Sequence, residues 1–211
     1  MFKRNIVTVL AIFGLLALAA CAPKPIAPQA RPVGNIAVAA FTSPKYNWEL
    51  LAGYLPEEGK GVRPEVLVKL DDMLGQTLRA HGVTVASTAT ATRQCQEIVV
   101  FERADKKRES AWSYWLNVGR CLPTDFILVP QALYWKDFGG GGNPASVVLD
   151  LFLLDVKSER VVARFHYDET QKALSDNLLD IGKFMRRKGE WVEAEVLAKE
   201  GIEAGLTEMG L

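Results

Sequence analysis

Ser146-Val147-Val148-Leu149-Asp150-Leu151-Phe152-Leu153-Leu154-Asp155-Val156 is apolar at nearly every position. A strand with one wet face alternates in polarity, so a run this continuous reads as a central strand covered on both sides. Lys157-Ser158-Glu159-Arg160 makes a polar turn, and Val161 to Tyr167 returns as an antiparallel partner. Upstream, Asp125-Phe126-Ile127-Leu128-Val129-Pro130 reads as another strand, extending as far as Trp135. Further out, Ile36-Ala37-Val38-Ala39-Ala40-Phe41 is a short apolar run between Gly34 and Pro44, again a strand buried on both faces.

Between these strands the apolar period changes to that of a helix. Pro64 suits a first helical turn, and Leu67, Leu70, Leu74 and Leu78 then repeat at helical spacing up to Gly82, a left-handed stop. Val83-Thr84-Val85 reads as a strand. Residues 88–121 are less decisive. Thr92 to Ala104 has helical composition, yet Ile98-Val99-Val100-Phe101 also suits a strand. Glu109 to Val118 reads as a helix ended by Gly119 and Pro123. The chain closes with helices at about 177–187 and 191–209; in the last, Trp191, Ala194, Leu197, Ala198, Gly201, Ile202 and Gly205 share one side. The expected fold is α/β (α+β), a single mixed β-sheet packed with helices, in one domain spanning 34–211.

The amino terminus is of another kind. Lys3 and Arg4 precede an apolar run from Ile6 to Ala20, fifteen residues broken only by Thr8. That order of a basic then an apolar region is a secretory signal. A membrane-crossing helix needs about 20 apolar residues, so cleavage is expected rather than a permanent span. The run ends in Leu18-Ala19-Ala20-Cys21, which resembles the lipobox of bacterial lipoproteins. The resemblance implies removal of residues 1–20 and acylation of Cys21. Ala22 rather than Asp follows the cysteine, which resembles the outer-membrane address of such proteins. Residues 21–33 carry Pro23, Pro25, Pro28 and Pro32. Prolines at this density prevent a helix and make an extended tether, about 35 Å long at roughly 3 Å per residue.

Within the folded part, Ile36–Phe41 with the following helix and Val83–Val85 resembles the opening of a periplasmic domain. Leu116-Asn117-Val118-Gly119-Arg120 followed by Thr124–Pro130, and the hairpin Ser146–Ala163, resemble its later steps. This is the α/β domain of the amino-terminal part of TolB, of CsgG and of LpoB. The resemblance covers roughly residues 34–165 and is one of pattern. It implies a non-catalytic binding or assembly domain in the periplasm. The chain departs from it in the 88–121 segment, the glycine loop and the carboxy-terminal helices.

Composition narrows the function classes. The chain has 25 basic and 25 acidic residues, and loss of Lys3 and Arg4 leaves the mature part near −2. No field favours nucleic acid or an anionic membrane surface. The two resemblances imply the partners: the membrane, through the lipid anchor, and an envelope protein. Cys95 and Cys121 remain after Cys21. In an oxidising compartment an even pair reads as a disulfide. His81 and His166 are not spaced with cysteines as metal ligands would be, so neither metal nor cofactor is expected.

His166, Asp168 and Glu169 could suggest a small periplasmic hydrolase. However, no nucleophile motif, phosphate loop or dinucleotide fingerprint accompanies them, and no catalytic residue is assigned. Asp150 sits inside an apolar strand, where an ionised carboxylate must face water or meet a partner such as Arg164. Gly139, Gly140, Gly141 and Gly142, flanked by Trp135 and Phe138, make a loop that changes shape at low cost beside large contact area. That is the expected partner surface. A structural subunit of an outer-membrane lipoprotein complex is the remaining alternative.

Overall fold

The computed structural model describes residues 31–56, 61–101, 110–138, 143–170 and 192–211. The signal segment, Cys21, the glycines 139–142, the helix expected at about 177–187 and Trp191 lie outside these residues.

One five-stranded mixed sheet organises the fold, in the order β2-β1-β3-β4-β5. The strands are β1 (Ile36–Val38), β2 (Val85–Ser87), β3 (Phe126–Lys136), β4 (Ser146–Asp155) and β5 (Arg160–Thr170). β1 runs parallel to both β2 and β3, while β3, β4 and β5 are successively antiparallel. Parallel neighbours cannot be joined by a tight turn. Helix α1 (Pro64–Ala80) accordingly links β1 to β2, and α2 (Ala89–Phe101) and α3 (Ala111–Cys121) lie between β2 and β3. Helix α4 (Ala194–Glu208) follows the antiparallel half. Among the described residues no helix is long and apolar enough to cross a membrane.

The period of two along each strand divides the core into two layers. Ile36, Val38, Leu128, Leu149, Leu151 and Leu153 pack with Leu70, Leu74 and Leu78 of α1 and Leu197, Ile202 and Leu206 of α4. On the other face Ala37, Ala39, Ile127, Val129, Phe152 and Leu154 pack with Cys95 and Val99 of α2 and Trp115 and Val118 of α3. Burial on both faces is why β1 and β4 read as continuous apolar runs. Each fully buried leucine stabilises by about 1.5–3 kcal/mol relative to exposure.

Several boundaries differ from the sequence reading, each for a physical reason. The second strand is Val85–Ser87, not Val83–Val85. The Val83 amide donates to Leu78 O (2.9 Å) and closes α1 after Gly82, whose φ is 68°. The Ala89–Phe101 segment is helical despite its β-branched run. Gly119 does not end α3 but lies within it; a Cβ there would approach Val156 Cγ2 to 2.6 Å, so this glycine lets the helix seat closely on the sheet. Pro130 sits inside β3, where a central strand normally excludes proline. It lies beyond Leu128, the partner of the last β1 residue, where the chain after β1 uses its carbonyl: Pro130 O accepts from Thr42 N (3.3 Å).

Cys95 of α2 and Cys121, the last residue of α3, are joined by a disulfide with Cα atoms 5.9 Å apart. Closing 26 residues stabilises by roughly 3–4 kcal/mol in the chain-entropy model. Asp71 ties a third contact: it accepts from the Phe41 amide (2.6 Å) and pairs with Arg93 of α2 (3.2 Å). Burial raises its pKa, partly opposed by those two partners.

Candidate functional site

Three polar residues, two of them buried, meet on the face of the sheet that carries α2 and α3. Gln131 of β3, Asp150 of β4 and His166 of β5 stand opposite one another in register. Gln131 and Asp150 are each only 1% exposed. A buried amide or carboxylate needs partners, and both have them.

Gln131 is used from above. Its Nε2 donates to Glu49 O (3.0 Å), and its Oε1 accepts from the Leu51 amide (3.3 Å). These two bonds hold the segment 43–56 against the sheet. Leu50 is buried beside Leu133 and Val148, and Leu55 and Tyr134 pack on the same cluster. The segment also closes on itself. Glu49 Oε2 accepts from the amides of Lys45 (2.5 Å) and Tyr46 (3.3 Å), and Asn47 Oδ1 accepts from Leu55 N (3.3 Å). Ser43 Oγ accepts from Val62 N (2.7 Å). The result is a clamped loop whose aromatic residues point outward. Tyr46 and Trp48 stack with centroids 5.8 Å apart and planes at 11°. Their exposures are 57% and 41%, and Tyr54 reaches 86%. Aromatic area held outward on an ordered loop is suited to contact.

Asp150 is satisfied from the side. His166 Nδ1 lies 2.8 Å from its Oδ1, and Arg164 reaches Oδ2 at 3.5 Å while lying over the Phe152 ring at 5.2 Å. Arg164 is thus one of the partners of Asp150 that the sequence reading allowed; His166 is the nearer one and was not foreseen. A carboxylate behind an imidazole is part of a hydrolase constellation. Here the histidine stands on the outermost strand with its side chain 48% exposed, not in a deep pocket. Among the described residues its bond runs to Asp150 and to no hydroxyl or thiol. Asp168 is exposed opposite Val148, and Glu169 is buried on the other face of β5. Among the described residues the arrangement therefore satisfies a buried carboxyl and brings no nucleophile beside a base.

Trp135 and Phe138 lie at the far end of β3. Both are half-buried and pack against the layer formed by α1 and α4. Trp135 Nε1 donates to Asp137 Oδ1 (2.8 Å), and Asp137 pairs with Arg63 (2.7 Å). A cavity of about 340 Å³ lies between α1 and α4, lined by Met73, Gln76, Thr77, His81, Lys199 and Glu203. His81 Nδ1 is 2.7 Å from Leu211 O.

The clamped loop was missed by the sequence reading, which assigned no role to the stretch between Pro44 and Pro64. The available signal was Tyr46 and Trp48 in alternation beside Glu49, an acidic residue able to bond the amides before it.

No protein-family model matches the sequence, and no curated protein matches it. Solved structures do. A PelC dodecamer from Paraburkholderia phytofirmans is 14% identical, with 86% of this chain and 92% of that chain covered and a TM-score of 0.46. Lipoprotein GNA1162 from Neisseria meningitidis is 9% identical, with 74% and 99% covered and a TM-score of 0.42. The LpoB C-terminal domain from Escherichia coli is 13% identical, with 75% and 94% covered and a TM-score of 0.35. Likeness at this depth assigns no function.

Proposed function

We propose that this chain is a lipid-anchored envelope protein that acts by non-catalytic binding or assembly in the periplasm. The lipobox at Cys21 and the proline tether support the anchoring; Ala22 supports an outer-membrane address. The observation that carries the binding reading is the aromatic loop, in which Tyr46, Trp48 and Tyr54 are exposed while Gln131 and Leu50 fix the backbone beneath them. A fixed backbone lowers the ordering cost of binding, and Trp and Tyr are enriched among the few residues that dominate binding energy at protein interfaces. The expected partner is another envelope protein. Trp135, Phe138 and Gly139–Gly142 remain a second candidate surface at the end of β3.

The test is cross-linking and capture from membranes with Trp48→Ala and Tyr54→Ala set beside Trp135→Ala and Phe138→Ala. Loss of the captured partner in the first pair, with thermal stability unchanged, supports the loop. Loss only in the second pair moves the surface to the end of β3. Unchanged capture in all four removes both. A hydrolytic role would rest on the 2.8 Å contact of His166 with Asp150; it requires that His166→Ala abolish a measured hydrolysis by the purified protein.

A further inference from the structure

We infer that Arg31 clasps the tether to the C-terminal end of α1 and so holds the domain with loop 43–56 turned away from the anchoring membrane. The inference rests on the anchored-binding reading and adds to it the side from which the partner comes.

The chain enters the fold at one end of the sheet. The Asn35 amide donates to Asp125 Oδ2 (2.8 Å), and the Asn35 carbonyl accepts from Asp125 N and Phe126 N (both 3.0 Å) and from Thr124 Oγ1 (2.8 Å). β1 begins at the next residue. A helix that crosses between parallel strands runs back against them, so α1 ends at this same end of the sheet. Gly82 stops it, and the carbonyls beyond the last turn have no donor within the helix. Arg31 supplies the donors: its Nη2 donates to His81 O (2.9 Å) and its Nη1 to Gly82 O (3.5 Å). A cation also suits the negative end of a helix dipole. His81 is itself held, with Nδ1 2.7 Å from Leu211 O beyond α4. The tether is thus tied to a corner where two helices end.

The clasp decides how far the domain can turn. Cys21 to Asn35 is fourteen residues, which as a proline-rich spacer reach about 43 Å at roughly 3.1 Å per residue. Ending the free part at Arg31 leaves ten residues, and about 31 Å. β3 begins beside Asn35, and its eleven residues run about 33 Å to Lys136 at the far end. A tether longer than the sheet lets the domain turn over and lay its far end on the membrane. A tether no longer than the sheet does not. Loop 43–56 is seated toward that far end, on Gln131 and Leu133. Exposed Tyr46 and Tyr54 therefore face the periplasmic space. The partner this arrangement fits is a protein domain standing in the periplasm, not the surface of the anchoring membrane.

The full-length lipidated protein in phosphatidylcholine vesicles tests this. Cys21 carries the proposed anchor and Cys95 is bonded to Cys121, so one added cysteine is the single free thiol. Thr84→Cys is exposed beside the clasp, and Tyr54→Cys lies on the loop. Each is labelled with a fluorophore and read by energy transfer to an acceptor on the lipid headgroups. Transfer should be about twofold or more stronger from position 84 than from position 54, which lie toward opposite ends of a sheet about 33 Å long. Arg31→Ala, at an exposed position, should leave the melting temperature unchanged and bring that ratio toward one. Equal or reversed transfer in the native chain overturns the inference, and so does a ratio that Arg31→Ala does not alter. A chain that fails to float with the vesicles overturns the anchoring reading, and this inference falls with it. A chain that floats with equal transfer overturns this inference alone.

Discussion

At the scale of single residues, small size and hydrogen bonding decide more than polarity. Gly201 and Gly205 were legible as part of the inward side of the last helix, because they fall in register with Leu197 and Ile202. Their necessity was not legible. A Cβ at Gly201 would lie 2.7 Å from the Tyr167 ring, and one at Gly205 2.6 Å from Phe165 and 2.7 Å from Leu151. Alanine gains up to about 1 kcal/mol of helix propensity over glycine. Overpacking costs typically about 1–3 kcal/mol. Gly205→Ala is therefore expected to lower stability despite the better helix former, as chemical denaturation will read; a rise would mean that α4 sits further from the sheet. Asp155 supplies a second case. Its Oδ1 accepts from the amides of Ser158 (2.8 Å) and Lys157 (2.9 Å) in the β4–β5 turn. These bonds, that of Ser158 foremost, lower its pKa below the usual aspartate value of 3.8. A depressed carboxylate contributes stability above the unfolded value and loses it as pH falls through the folded one. Asp155→Ala should thus cost about 1 kcal/mol near neutral pH and progressively less below about pH 4, while Asp155→Asn, which keeps an acceptor, should cost less at neutral pH. Denaturation midpoints of the three proteins across that range check the sign.

At the scale of elements, what was legible follows from where each element finds its partners. β4 and α1 declare themselves because their apolar periods are long and uninterrupted. Helix α2 does not. Its Ile98-Val99-Val100-Phe101 run has strand propensity, and it is helical because Val99 and Cys95 pack on Ala37 and Ala39 and the disulfide holds α2 to α3. Tertiary contacts of that kind override weak local preference. The loop 43–56 was hidden for a related reason. Its backbone is held by Gln131, some 80 residues further along the chain, and a glutamine inside a strand gives no local sign of that duty. Gln131→Ala would leave the Leu51 amide and Glu49 carbonyl without their partner, at a cost of about 1–3 kcal/mol. Tyr54→Ala, at an exposed position, should stay within about 0.5 kcal/mol of the native protein. Melting curves separate the two. Equal losses would mean that Tyr54 is packed rather than presented.

At the scale of the whole molecule, the fold class was readable almost entirely, and the site only in part. The order of strands and helices forced a mixed sheet with helices on it, and that sheet is present. The aromatic region chosen from the sequence lay beside the glycines, because glycine and aromatic residues are visible together there. The exposed aromatics instead stand on a loop whose shape depends on the assembled sheet. The two surfaces lie on opposite layers, Tyr134 and Leu55 with the loop, Trp135 and Phe138 with α1 and α4. Both belong to a domain that the proposed lipid anchor at Cys21 would present to the periplasm. Intact mass of the mature protein purified from membranes tests that claim most directly. The expected result is a chain beginning at Cys21 and carrying acyl chains, with Cys21→Ser appearing outside the membrane fraction or unprocessed. A mature chain that begins elsewhere, or an unmodified Cys21 on a membrane-bound protein, would contradict it.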